Sequence, residues 1–240
     1  MFGPNTLEYE DQILNLDKTL SDLFHFIDKE IGLENVLIVL SADHGVCETP
    51  EYLIENGVSS GVLSTKLIVQ KLNEFGRDKL NLDFDVVKHT VPPYIYLNEK
   101  QIVSSGLDLA KVEHLLSDEA EKINGVYRVY CSVDIEEEKL PEDEMSQKVK
   151  RAYYKGRSGN LYIINDKYWY LAWNPETRKN AATHGSPWEY DTFVPLIFVG
   201  PGISNHSSNE LVGPQDIATT VANYLGITPP EDSVGKNLLK

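Results

Sequence analysis

Two His-Gly dipeptides carry the strongest chemical signal in the chain. The first sits in Ser41-Ala42-Asp43-His44-Gly45, the second in Thr183-His184-Gly185-Ser186-Pro187. A carboxylate beside an imidazole offers the oxygen and nitrogen donors that Zn²⁺ accepts, and the same pair also suits Mn²⁺, Fe²⁺ or Co²⁺. Gly45 lets the backbone turn sharply enough for neighbouring side chains to face one point. An isolated Asp-His-Gly is more often a surface turn. What lifts this one is its place after the apolar run Val36–Leu40, because ligand sites in open α/β sheets gather at the carboxyl ends of strands. The second His-Gly lies in a Gly/Pro loop that leads into another apolar run, Val194–Val199, and loops of this kind often carry functional groups on a rigid scaffold. Asp43, His44 and His184 are therefore the candidate metal ligands.

The other polar groups point to ordinary roles. His25, His89, His114 and His206 read as structural or surface residues, and Lys155-Gly156-Arg157-Ser158-Gly159 as a solvated basic turn. The sequence holds no Gly-x-Ser-x-Gly elbow, no phosphate-binding Walker loop, no dinucleotide glycine pattern and no Cys-x-x-Cys. No residue is assigned as a nucleophile, which would need an activating base or metal beside it. Cys47 and Cys131 are too few for a disulfide scaffold and read as free or buried thiols.

The elements that position these residues follow from apolar spacing. Asn5, with Glu8 three residues later, predicts a capped helix start; apolar residues at Ile13, Leu16, Leu20, Leu23, Phe24, Ile27 and Ile31 then keep helical spacing up to Gly32. Val36–Leu40 and Pro195–Val199 read as strands buried on both faces, as in a parallel sheet. Between them the pattern predicts helices at Ser60–Phe75 and Leu107–Ile123, strands at Phe84–Val91, Tyr94–Leu97 and Val126–Tyr130, a solvated loop at Asp134–Glu144 and a short helix near Ser146–Tyr153. A hairpin joining 161–164 to 168–173 follows, and Asp216 caps a last helix ending at Leu225. No internal repeat and no linker is visible. The expectation is one α/β sandwich with a largely parallel central sheet flanked by helices and a small antiparallel insert.

Composition bounds the partners. Lys and Arg number 22 and Asp and Glu 37 in 240 residues, a net charge of −15. That excludes a general binder of nucleic acid or anionic membrane, which needs a basic surface. It leaves room for an anionic small molecule, since a bound metal reverses the local field. No apolar run is long enough to span a bilayer, and the first residues do not form a signal peptide.

The residues resemble a known family. Ser-Ala-Asp-His-Gly at 41–45 is similar to the metal-binding strand end of the alkaline phosphatase superfamily, which includes type I phosphodiesterases and nucleotide pyrophosphatases. The run from Thr183 to Phe198 resembles the downstream metal-histidine motif of its PafA-type bacterial alkaline phosphatases. Phe-Gly-Pro-Asn-Thr-Leu-Glu at 2–8, Gly-Arg-Ser-Gly at 156–159 and Asp-Ile-Ala-Thr-Thr-Val-Ala at 216–222 extend the likeness nearly end to end.

The resemblance implies an alkaline-phosphatase-like sandwich that is incomplete at its N-terminus, with residues 1–240 as the C-terminal part and an insert or cap near 76–175. It implies a site of two zinc ions in the full-length parent. Asp43 and His44 would serve the zinc beside the nucleophile, and His184 the other. The nucleophile, and an Asp-x-x-x-His ligand pair, are expected upstream of Met1, so no catalytic nucleophile is assigned here. Phe193 departs from the family, where His often follows Asp-Thr. The implied activity is hydrolysis of a small-molecule phosphate monoester through a covalent phospho-enzyme, with periplasmic or secreted location. The alternatives are a phosphodiesterase or nucleotide pyrophosphatase on the same scaffold, or a non-catalytic fragment or degenerate metal-binding remnant.

Overall fold

A computed structural model describes residues 3–239. Phe2, which opens the 2–8 stretch, lies outside the described residues. The chain runs α1 (Leu7–Glu30), β1 (Ile38–Ser41), α2 (Pro50–Glu55), β2 (Gly61–Ser64), α3 (Thr65–Leu80), β3 (Val87–Val91) and β4 (Tyr94–Leu97). It continues through α4 (Glu99–Ser104), α5 (Leu109–Ala120), β5 (Val126–Cys131), α6 (Ser132–Glu136), α7 (Glu144–Ala152), β6 (Leu161–Asn165) and β7 (Trp169–Ala172). It closes with α8 (Glu189–Thr192), β8 (Leu196–Val199) and α9 (Gln215–Leu225). Two compact units result: one holds the described residues up to Thr19 with Ala42–Pro195, the other Leu20–Ser41 with the described residues from Leu196 on.

The first unit is built on an antiparallel sheet of order β3-β4-β6-β5. Every residue of β6 is buried, and the pleat sends alternate side chains into different cores. Leu161 and Ile163 join Ile68 and Leu72 of α3 and Val112 and Leu116 of α5. Tyr162 and Ile164 join Ile135 of α6 and Val149 of α7. Burying a side chain of this size contributes roughly 1.5–3 kcal/mol, so Leu-Tyr-Ile-Ile reads as continuous apolar sequence because helices cover both faces.

The expected hairpin from 161–164 to 168–173 does not form. Both edges of β6 are already taken, by β4 and β5, so β7 turns away and pairs in parallel with β2. That pairing also explains why the helix expected from Ser60 starts later. Ser60 donates its hydroxyl to the Tyr168 carbonyl at 2.5 Å, and Gly61 lies opposite Trp169, whose ring stands 2.8 Å from where a Cβ would be. Residues 61–64 are therefore strand, and Ser64 caps α3 by accepting from the Leu67 amide at 3.2 Å. Part of the expected acidic loop is helical: α6 covers Ser132–Glu136, and Asp143 caps α7. The cap of α1 is Thr6, whose hydroxyl accepts from the Tyr9 amide at 3.2 Å, while Asn5 donates to the Glu48 carboxylate at 2.6 Å.

In the second unit β1 pairs antiparallel with β8, Ile38 opposite Val199 and Ser41 opposite Leu196. The sheets of the molecule are thus mixed rather than largely parallel, β2–β7 being the parallel pair among the described residues. Nor are β1 and β8 buried on both faces: Leu40 is 40% and Val199 56% exposed. Asp216 lies inside the first turn of α9, where its carboxylate accepts from the amides of Gly213 and Lys236 at 2.9 and 2.8 Å. Gly226, left-handed at φ 68°, ends that helix as expected. No helix among the described residues is long and apolar enough to cross a membrane.

Candidate metal centre

The site lies within the first unit, where two loop segments run side by side. The Gly45 amide donates to the Asp191 carbonyl at 2.8 Å, and the Cys47 amide to the Thr183 carbonyl at 3.3 Å. The later segment is anchored to the antiparallel sheet. The Trp188 indole donates to the Asn165 carbonyl at 2.9 Å, and Lys148 of α7 donates to the Pro187 carbonyl at 3.1 Å.

Both dipeptides need their glycine, for different reasons. A Cβ on Gly45 would stand 2.1 Å from the Tyr190 carbonyl oxygen, so only glycine allows the two segments to touch. Gly185 has φ 106°, a conformation that L side chains rarely adopt. The result brings His44 and His184 together: their rings stack with centroids 3.4 Å apart and planes 5° from parallel.

The donor geometry suits a cation. Nδ1 of His44 lies 2.7 Å from the Gly45 carbonyl. A carbonyl only accepts, so Nδ1 carries the proton and Nε2 keeps its lone pair. That nitrogen lies 3.5 Å from Oδ2 of Asp43, whose side chain is 88% exposed. All three sequence candidates therefore fall in one place, on an exposed rim.

Asp191 is the residue that sequence reasoning missed. It is buried, and its Oδ2 accepts from both the amide and the hydroxyl of Ser186, at 2.8 and 2.6 Å. Its Oδ1 is buried without a hydrogen-bond partner. Burial pushes its carboxyl above the ordinary value, against the Ser186 hydrogen bonds and the nearby His184 and His44. A buried carboxylate oxygen with no donor, next to two imidazoles, is a negative field awaiting a positive group. Two imidazoles, an exposed carboxylate and this field together fit a divalent metal. Its signal in sequence was its place in the run Thr183–Phe198, five residues after Ser186.

Two neighbouring features complete the surroundings. A cavity of about 280 Å³ adjoins His184 and Asp191, walled by Ile163, Trp169, Leu171 and Tyr190. Phe193 is 82% exposed and adds no polar group. Cys47 is a buried free thiol; burial first, then Asp191 and Glu48, push it up to about 12, so it stays protonated.

Comparison with known proteins places the chain. A family model described as type I phosphodiesterase / nucleotide pyrophosphatase matches residues 1–187. Over 239 residues the chain is 33% identical to alkaline phosphatase PhoV of Synechococcus elongatus, covering 98% of this chain and 41% of that protein. It is 32% identical to alkaline phosphatase PafA of Elizabethkingia meningoseptica, covering 98% and 42%. A crystal structure of alkaline phosphatase PafA superposes with a TM-score of 0.87 at 31% identity, over 99% of this chain and 44% of that one. The fold is thus the alkaline-phosphatase-like α/β fold. The chain spans about two fifths of the length of these relatives.

Proposed function

The chain belongs to the type I phosphodiesterase / nucleotide pyrophosphatase family, and from that premise we propose that it carries part of the metal site of a phosphate monoesterase. The observation that carries this reading is the stacking of His44 on His184, with Asp43 and the buried Asp191 carboxylate beside them. Both relatives of about one-third identity bear the name alkaline phosphatase.

In this reading Asp43 and His44 would hold the zinc on the nucleophile side, and His184 would hold a second. When bound, the two ions supply positive charge to the attacking and leaving oxygens of the phosphoryl group. The chain's own residues position that charge. The Gly45 carbonyl holds the donor hydrogen of His44 on Nδ1, which leaves Nε2 as the ligating nitrogen of the neutral ring. Asp191, held by Ser186, adds negative field that favours cations at the two imidazoles. Trp169, Ile163 and Tyr190 offer an apolar wall for an organic leaving group. The Thr or Ser nucleophile, which would form the covalent phospho-enzyme, is assigned to sequence ahead of Met1, and residues near 76–175 to an insert that carries the antiparallel sheet. Location in the periplasm belongs to the same proposal.

The second reading, a phosphodiesterase or nucleotide pyrophosphatase, is favoured by the description of the matching family. One experiment tests both. The coding DNA ahead of Met1 is read, and the polypeptide it specifies is assayed with zinc on nitrophenyl phosphate and bis-nitrophenyl phosphate. The account expects an open frame with Asp-x-x-x-His and a Thr or Ser nucleophile, and faster turnover of the monoester that His184→Ala abolishes. Preference for the diester favours the second reading. A stop codon and ribosome site directly before Met1, or zinc-dependent turnover by this chain alone, contradicts the proposal.

A further inference from the structure

Away from the site described above, three different donor side chains meet where α5, β5 and α6 join. His114 lies on α5, Cys131 ends β5, and Asp134 lies in α6. One ligand atom from each falls within 4.8 Å of the others. Nε2 of His114 is 3.0 Å from both carboxylate oxygens of Asp134. A tetrahedral zinc ion with nitrogen and oxygen ligands at about 2.0–2.1 Å holds those two atoms about 3.3 Å apart, so the pair already stands near its liganded spacing.

We propose that His114, Cys131 and Asp134 form a second divalent metal site, of the zinc or cobalt type, that ties α5 to the β5–α6 corner. The thiolate, imidazole and carboxylate set is one that Zn²⁺ and Co²⁺ accept and that Mg²⁺ and Ca²⁺ do not.

The frame of this site is rigid without the ion. Glu113, beside His114 and buried, accepts from the Ser132 hydroxyl at 2.9 Å and from the Val133 amide at 3.1 Å, which fixes the turn between Cys131 and Asp134 against α5. Asn160 donates to the same carboxylate at 3.0 Å. His114 and Asp134 need little rearrangement to close on a cation, and the Cys131 sulfur stands within 4.8 Å of both ligand atoms. The access route is on the imidazole side: the His114 side chain is 51% exposed and that of Asp134 28%, while Cys131 is buried at 2%. A fourth position therefore opens to water on the exposed side.

The proton balance is simple. Without metal, burial pushes the Cys131 thiol up to about 12, with Glu113 and Asp134 adding to the effect, so the thiol is protonated and poorly nucleophilic. The hydrogen that bridges Nε2 to Asp134 sits on the imidazole, because a carboxylate only accepts. Binding of the ion releases the thiol proton to solvent and takes the place of the bridging hydrogen, which moves to Nδ1 of the same ring.

The test is a cobalt titration of the full chain carrying His44→Ala and His184→Ala, so that the first site does not contribute. A thiolate-to-cobalt charge-transfer band in the near ultraviolet is expected, lost in Cys131→Ser and retained in Cys47→Ser. His114→Gln, a change at a half-exposed side chain, should weaken cobalt binding at least about tenfold and decides the matter if Cys131→Ser does not fold. No band in the parent chain, a band that survives Cys131→Ser, or unchanged affinity in His114→Gln overturns the proposal and leaves His114 and Asp134 as a plain hydrogen-bonded pair.

Discussion

His44 and His184, drawn from distant parts of the sequence, stack ring on ring with centroids 3.4 Å apart. The rings lie 5° from parallel, and Nδ1 of His44 is committed to the Gly45 carbonyl, which leaves its Nε2 beside the exposed Asp43 carboxylate. The stacking rests on the backbone pairing of Gly45 with Asp191 and of Cys47 with Thr183. The site therefore depends as much on close backbone approach as on its ligands.

Gly45→Ala tests that dependence. Its new Cβ would fall 2.1 Å from a backbone oxygen, which cannot rotate away. The loops must part, at a cost of about 1–3 kcal/mol, and zinc affinity should fall with stability. Thermal melting and a zinc titration of the same sample check both halves.

Asp191→Asn separates field from shape. The amide keeps an oxygen to accept from Ser186 but removes the negative charge near the imidazoles. We expect zinc affinity to fall about 10–100-fold, as for outer partners of other metal ligands, with the fold intact. Calorimetric titration reads the first and circular dichroism the second.

Asp143 offers a test of pH dependence remote from the metal. Its Oδ1 accepts from the Ser146 amide at 2.7 Å, and this bond, with Ser146 and Arg128 close by, holds its carboxyl below the ordinary value. A lowered value means the stabilisation is present above the unfolded value, near 3.9, and is lost as pH falls through the folded one. Asp143→Ala should cost about 1 kcal/mol at neutral pH, and the gap to wild type should narrow below about pH 4. Denaturant unfolding at the two pH values measures it.

How much of this was legible beforehand depended on whether a residue's role is local. The periodicity of Ile13 to Ile31 specified α1 as a helix, although none of its residues is buried, and Leu161–Ile164 specified a buried strand, because spacing and apolar runs are read along the chain. Pairing is not. The turn at Asn165–Lys167 looked like a hairpin, yet β4 and β5 had already occupied both edges of β6. Gly61 carried no visible sign of its close approach to Trp169. In the site, the two His-Gly contexts single out Asp43, His44 and His184, and the structure brings these three together. Asp191 is not singled out, since its meaning comes from a carboxylate oxygen left without a donor once the loops are packed. In sequence His114 is a structural or surface histidine and Cys131 a free or buried thiol; only the corner of α5, β5 and α6 places them with Asp134.

The most direct test of the central claim is a zinc titration of this chain followed at the imidazole resonances of His44 and His184. The account predicts that both rings shift on zinc addition and that both responses weaken in Asp191→Asn. If neither resonance moves while zinc binds elsewhere on the protein, Asp43, His44 and His184 are not metal ligands and the proposed phosphatase site is wrong.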